Sequence, residues 1–314
     1  MPKHIKIAVL LLCLALPFSI VGLYKNNQHA LTLSRGNYFF EKTRNTADIS
    51  SIVLNFNGKD TVSLVKKEGI WRVKEADDYY ASLTKTNALL KLIYNTFIHR
   101  IDELHDEDNK KFGSETIQIT SYNEAGDILD LAIIAAKDLN NKYHYAKLNQ
   151  NDFLYQLDGD FSLSAVLTDW LQMPILQIAY NQIKRITTDN FDVYRRFKDE
   201  ELKEVQSGRE VSQMRRFANY LWYLNAIEVR HAIHFKKQDF KLKKSIKLTT
   251  LDGIIYRINL FSNDRDYWLN IELDRERLLA DDALFIINEN KMLYDGWFFK
   301  INPETGEGIS TFSL

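Results

Sequence analysis

The chain has 314 residues, 45% of them hydrophobic and 26% charged, the proportions of a folded globular protein and not of a disordered one. Lys and Arg number 41 against 42 Asp and Glu, a net charge of -1, so there is no whole-chain basic field and no nucleic acid partner is expected. The length suits two domains of similar size, and 12 Gly with 4 Pro leave no low-complexity linker.

Residues from Ile7 to Tyr24 are continuously apolar or small, with Lys3, His4 and Lys6 ahead of them and Lys25 behind. A bilayer core takes about 20 apolar residues, with about 17 as the lower limit. Residues 1–25 are therefore read as an N-terminal transmembrane anchor, in which Pro17 is tolerable. The competing reading is a cleaved signal peptide. Ile20-Val21-Gly22 fails as a small-x-small cleavage site, and Leu10-Leu11-Leu12 ahead of Cys13 is no lipoprotein signal. Lys3 and Lys6 favour a cytoplasmic N-terminus, which places the body in the periplasm, single-pass on the inner membrane and touching lipid through that helix. Cys13 is the one cysteine, so the body has neither an intramolecular disulfide nor thiolate chemistry.

Residues 26–48 read as a polar stalk, partly ordered through Tyr38, Phe39 and Phe40. A first α+β unit is expected over 49–174. Ile52, Leu54 and Phe56 alternate as in a strand, Asn57-Gly58 signals a hairpin, and Val62 with Leu64 lies on the return. Glu68-Gly69 turns into Ile70-Trp71-Arg72-Val73, with Trp71 read as core. Leu83, Leu90, Ile93, Phe97 and Ile101 recur near helical spacing, which predicts a helix from about Ser82 to Ile101 capped by Ser82. Strands follow at Ile117–Thr120, Ile128–Ile134, Tyr143–Leu148 and Phe153–Leu157, with turns at Gly113, Gly126 and Asn140-Asn141. A short helix from Ser162 to Leu171 closes the unit, and Met173-Pro174 marks its end.

The series restarts over 175–314. Ile183, Ile186 and Val193 are strand-like, and Lys198 to Gly208 is a charged loop. Met214, Phe217, Leu221, Leu224 and Ile227 make an amphipathic stripe within a helix from about Ser212 to Val229. Strands are expected at Ile246–Leu248, Ile254–Leu260, Tyr267–Leu269, Leu284–Ile287 and Trp297–Ile301. Several of these elements stand about 130 positions after their counterparts, the signature of an internal repeat. The resulting fold class is α+β: two related units, each an antiparallel sheet packed with one main helix.

His99 and His105 sit among carboxylates but six residues apart, off a common helix face. Glu228, His231 and His234 are spaced by three, yet lie in an extended stretch where such positions point oppositely. Asp158-Gly159-Asp160 lacks the remaining ligands of a calcium loop and reads as a turn. No catalytic, cofactor-binding or metal residue is assigned, and no cofactor is called for. Arg195-Arg196, Arg215-Arg216, Lys236-Lys237, Lys241, Lys243 and Lys244 read as solvated basic faces, with anionic head groups or an acidic partner as the alternative. No Walker, G-x-G-x-x-G, G-x-S-x-G or H-E-x-x-H motif occurs.

The order of pieces is similar to the domain-of-unknown-function family 4340. The likeness rests on Ile52-Val53-Leu54-Asn55-Phe56, on Asp60 to Val73 with Gly69-Ile70-Trp71-Arg72-Val73, on Asn87-Ala88-Leu89-Leu90, on Lys111-Phe112-Gly113 and on Phe153 to Leu157. Asp77-Asp78-Tyr79-Tyr80-Ala81 departs from the small residues usual there. The resemblance implies a non-enzymatic accessory or scaffolding subunit of an ABC-type transport system, meeting a permease or auxiliary membrane subunit. The alternative is a module that binds an envelope glycan or lipid through exposed aromatics such as Tyr143, Tyr145, Tyr267 and Trp268. An enzyme with an unrecognised site ranks below both.

Overall fold

The computed structural model describes residues 37–46, 49–112, 115–137, 142–148, 151–263, 265–276 and 281–314. The expected anchor over 1–25 with Cys13, most of the 26–48 stalk, Gly113 and the Asn140-Asn141 turn lie outside these residues. The chain divides between two units, Met1–Lys66 with Asn87–Ala165 and Lys67–Thr86 with Val166–Leu314. Both are built mainly of antiparallel strands with a few helices, an α+β architecture.

The elements up to residue 165 are α1 (Glu41–Asn45), β1 (Ile49–Phe56), β2 (Asp60–Lys67), β3 (Ile70–Val73), β4 (Tyr79–Tyr80), α2 (Leu83–Asn95), β5 (Phe97–Glu103), β6 (Ile117–Asn123), β7 (Ile128–Lys137), β8 (His144–Leu148) and β9 (Phe153–Asp158). The first unit's sheet runs β2-β1-β6-β7-β8-β9-β5. Along β1 the side chains alternate: Ile52, Leu54 and Phe56 are buried, whereas Val53 and Asn55 are half-buried. Each buried aliphatic or aromatic side chain contributes about 1.5–3 kcal/mol, so the alternation fixes which face meets the core. Asn57 (φ 54°) and Gly58 (φ 68°) both take the left-handed backbone that a tight hairpin demands.

The expected stalk is in part body. Phe39 and Phe40 are buried, the Phe39 N–H donates to the Thr96 carbonyl at 2.9 Å, and buried Asp130 accepts from the Thr43 N–H at 2.8 Å and its hydroxyl at 2.6 Å. Helix α2 stops at Asn95, short of the expected Ile101. The Thr96 hydroxyl donates to the Leu92 carbonyl at 2.6 Å, and the chain then leaves as β5 to pair with β9. The buried stripe is Thr86, Leu89 and Ile93, while Leu83 is 65% and Phe97 39% exposed. Helical spacing at Phe97 and Ile101 misled because a strand can satisfy it over so few residues.

The second unit contains β10 (Ile183–Thr187), β11 (Asp192–Tyr194), β12 (Lys203–Glu204), α3 (Met214–Leu221), β13 (Glu228–His231), β14 (Lys241–Thr250), β15 (Ile254–Ser262), β16 (Tyr267–Arg275), α4 (Asp281–Tyr294), β17 (Trp297–Ile301) and α5 (Pro303–Thr311). Its sheet runs β12-β11-β10-β14-β15-β16-β17-β13. The β3–β4 hairpin also belongs to this unit, with the Tyr79 ring edge-on to Trp297 at 5.0 Å and to Phe299 at 5.7 Å. If β10, β11 and β13 are matched with β1, β2 and β5, and β14 to β17 with β6 to β9, the two sheets have the same strand order.

Several local expectations are corrected. The first unit does not run unbroken over 49–174, because residues 67–86 pack with the second. The helix foreseen over Ser162–Leu171 is one turn of 3₁₀ helix, Leu167–Trp170. Helix α3 ends at Leu221, and Tyr223 turns the chain with φ 52°. Leu284 to Ile287 lie in helix α4, not a strand, since a short apolar run has no period of its own and length decides. With α5 added, the second unit carries more than one main helix. Helix α5, absent from the elements expected above, starts at Asn302, whose side chain accepts from the Glu304 N–H at 2.9 Å, with Pro303 at the first position.

Candidate ligand cavity of the second unit

Four elements of the second unit bring three tyrosines together. Strand β4 contributes Tyr79, strand β15 Tyr256, and the last turn of α4 Tyr294. The segment 172–177 closes the wall. It is held at one end by the Gln172 N–H donating to the Tyr80 carbonyl at 2.9 Å, and further on by the Ile175 N–H donating to the Leu224 carbonyl at 2.8 Å. The space between them is about 350 Å³, with Gln172, Gln177 and Asn290 also on its surface, near the lower end of small-molecule sites at about 300–1,000 Å³.

Among the described residues, no Asp, Glu, Lys, Arg or His lines the cavity. Burial pushes the Tyr79 and Tyr294 hydroxyls well above the usual phenol range, with Tyr294 adding to the effect at Tyr79 and Tyr256 adding to it at Tyr294. The Tyr256 hydroxyl is pushed up to about 12, by burial first and then by the Asp252 carboxylate. All three are therefore neutral groups that can both donate and accept. Tyr79 is 1% and Tyr294 9% exposed, so both side chains are held within the protein where they border the cavity.

The residues weighed from sequence fall elsewhere. His99 stacks on Tyr143 at 4.0 Å on β5, and His105 caps the turn Asp106–Lys111. Glu228 and His231 lie on β13 as extended chain. The His231 N–H donates to the Asp77 carboxylate at 3.1 Å, and His234 Nδ1 stands 3.1 Å from the same oxygen. Asp77 and Asp78 both have positive φ, 56° and 64°, so these contacts pin a tight turn. Among the described residues no group of three or more His, Cys, Asp or Glu is placed to hold a metal ion. Asp160 accepts from the Ser162 N–H at 3.1 Å, as a turn residue does.

Two of the expected solvated cations are buried. Arg195 donates to the carbonyls of Tyr180 (2.9 Å), Lys198 (3.2 Å) and Glu200 (2.9 Å), and so fastens the 198–208 loop. Lys244 donates to the Phe312 carbonyl under the rings of Phe191 and Phe217. Arg215 is tied to Glu201. One of the aromatics expected to be exposed is not. Trp268 is 5% exposed and packs with Phe235, Phe261 and Phe298, because β16 turns it inward. Tyr143, Tyr145 and Tyr267 are half-buried, as is Trp71. The cavity tyrosines escaped sequence reading because positions 79, 256 and 294 share no spacing.

Among the described residues no helix is long and apolar enough to cross a membrane. No protein-family model, curated protein or solved structure matches the chain.

Proposed function

We propose that the protein is a non-enzymatic accessory or scaffolding subunit of an ABC-type transport system. Residues 1–25 anchor it in the inner membrane with the N-terminus in the cytoplasm, and its two sheet units lie in the periplasm. It works by contact with a permease or auxiliary membrane subunit. The resemblance to family 4340 and the leading apolar run support this reading. In the same reading the halves are two diverged copies of one ancestral unit, for which the common strand order is the support.

One observation carries the contact role. Trp222, Tyr223 and Ile227 are 48%, 55% and 51% exposed in one short segment. Both ends of that segment are fixed, through the Trp222 N–H on the Ala218 carbonyl at 2.9 Å and the Leu224 N–H on the Leu176 carbonyl at 2.8 Å. Tyr223 holds φ 52°, a left-handed backbone that costs a non-glycine residue about 1–3 kcal/mol. A strained, half-exposed Trp-Tyr pair contributes little to folding, whereas large aromatics anchor protein interfaces.

The test uses the tagged full-length chain captured from detergent-solubilised membranes. The expected result is co-recovery of a transporter permease or ATPase, reduced severalfold by Trp222→Ala and by Tyr223→Gly. Tyr223→Gly relieves the backbone, so its melting temperature should hold or rise while recovery drops. A bait that returns alone, a full-length product found free in the cytosolic fraction, or variants that recover the partner as well as the wild type would overturn the proposal.

A further inference from the structure

We infer that the tyrosine-lined cavity of the second unit is a binding site for a neutral polyhydroxylated ligand, a single saccharide ring being the class that fits. This goes beyond the scaffolding role and is independent of it. It places ligand binding away from the expected exposed aromatics Tyr143, Tyr145, Tyr267 and Trp268, of which Trp268 is buried.

The lining chemistry selects the ligand. Tyr79, Tyr256 and Tyr294 present hydroxyls, and Gln172, Gln177 and Asn290 are carboxamide residues. Every one of these groups is both donor and acceptor, and a ring of alcohol groups is the complement of such a set. An anionic ligand would enter without a countercharge, and a buried unpaired charge is costly. The same argument weighs against a cationic ligand, for which the described lining residues offer no carboxylate. Since burial holds all three phenols protonated, the donor set is unchanged across the physiological range, and binding should be independent of pH there.

The wall is not wholly polar. Pro174 and Leu293 also line the space, and an apolar strip beside hydroxyl donors suits the C–H face of a sugar ring. The volume of about 350 Å³ admits a small ligand and no extended chain. The Tyr79 hydroxyl sits on a ring clamped by Trp297 and Phe299, so its position is set before any ligand arrives. A preorganised donor loses less entropy on binding than a mobile one.

The experiment is saturation-transfer NMR on the full-length protein in detergent, against glucose, galactose, N-acetylglucosamine and inositol, with inorganic phosphate and choline as charged controls. At least one neutral compound should show transfer, and the charged controls none. Tyr256→Phe with Tyr294→Phe keeps both rings and removes two hydroxyls, so affinity should fall about tenfold or more with the fold retained. Leu293→Trp fills the space from the apolar side and should abolish binding by a second route. Absence of transfer to every neutral compound would overturn the inference. So would binding of choline or phosphate in their place, or a neutral compound held equally well by both variants. Transporter capture by the double variant should match that of the wild type, which separates failure here from failure of the scaffolding proposal.

Discussion

Lys244 puts an ammonium in a nearly closed apolar setting: it is 4% exposed, and its Nζ lies 5.7 Å from the Phe191 ring and 5.8 Å from the Phe217 ring. Burial lowers its pKa from the ordinary lysine value of 10.5, with Asp189 opposing weakly. Between the lowered folded value and 10.5 the native state holds fewer protons than the unfolded chain. Stability therefore rises with pH across that window, and the penalty is fully present below it. Lys244→Met keeps the unbranched stem, removes the charge and leaves only the Phe312 carbonyl without its donor. Urea unfolding should show the variant equal to the wild type or more stable by about 1 kcal/mol at neutral pH. Its advantage should shrink toward about pH 10. A variant that is weaker at neutral pH, with an unchanged alkaline slope, would show that the carbonyl contact outweighs the buried charge. Nothing in the sequence separated Lys244 from Lys241 and Lys243, which are exposed. Arg195 was hidden in the same way beside exposed Arg196. A run of cations reads as one face until a strand's two-residue period is imposed on it, and even then the depth of the opposing layer is not written locally.

At the scale of elements, strands were legible and helix ends were not. Ile52, Leu54 and Phe56 declare a face by themselves, and Asn57-Gly58 declares the turn that follows. The end of α2 depends on whether Phe97 finds a partner strand in β9, more than fifty residues later, and no local pattern encodes that. Helix α5 was missed for another reason: it buries glycine. Gly306 faces Tyr267 so closely that an added Cβ would fall among Cβ, Cγ and Cδ1 of that side chain. Gly308 faces only the far end of Tyr220, with the ring carbon Cζ 2.5 Å from such a Cβ. Two alanine substitutions on one helix should therefore part company. Either gains up to about 1 kcal/mol in helix propensity. At Gly306 the root of a side chain fixed in β16 must move, an overpacking cost of about 1–3 kcal/mol. Gly306→Ala should lower the melting temperature, and Gly308→Ala should leave it unchanged or raise it, because the Tyr220 ring can swing aside. Equal effects in a thermal melt would mean that the helix shifts as a whole.

At the scale of the whole chain, the two sheets can be matched strand for strand in order, while the boundary between the units departs from a simple cut. Residues 67–86 pack with the second unit, so a break at 174 separates β4 from the body that contains Trp297 and Phe299. Tyr79 is among the largest fully buried side chains, and it spans the cavity wall and the aromatic core together. Losing such an aromatic costs about 3–5 kcal/mol where the site cannot collapse, and that is comparable with the full stability of a small domain, about 5–15 kcal/mol. Val73 and Ala76, also buried, would be removed in the same cut. The fragment 175–314, a natural choice from the sequence alone, should therefore retain strand signal by far-ultraviolet circular dichroism but bind a hydrophobic dye and unfold without a sharp transition. Supplying residues 67–86 at its N-terminus through a flexible linker should restore a cooperative melt. A sharp transition in the bare fragment would instead mean that β3 and β4 are ornaments of a self-sufficient sheet, and the cavity they help to enclose would then lack the rigid wall on which its ligand selectivity depends.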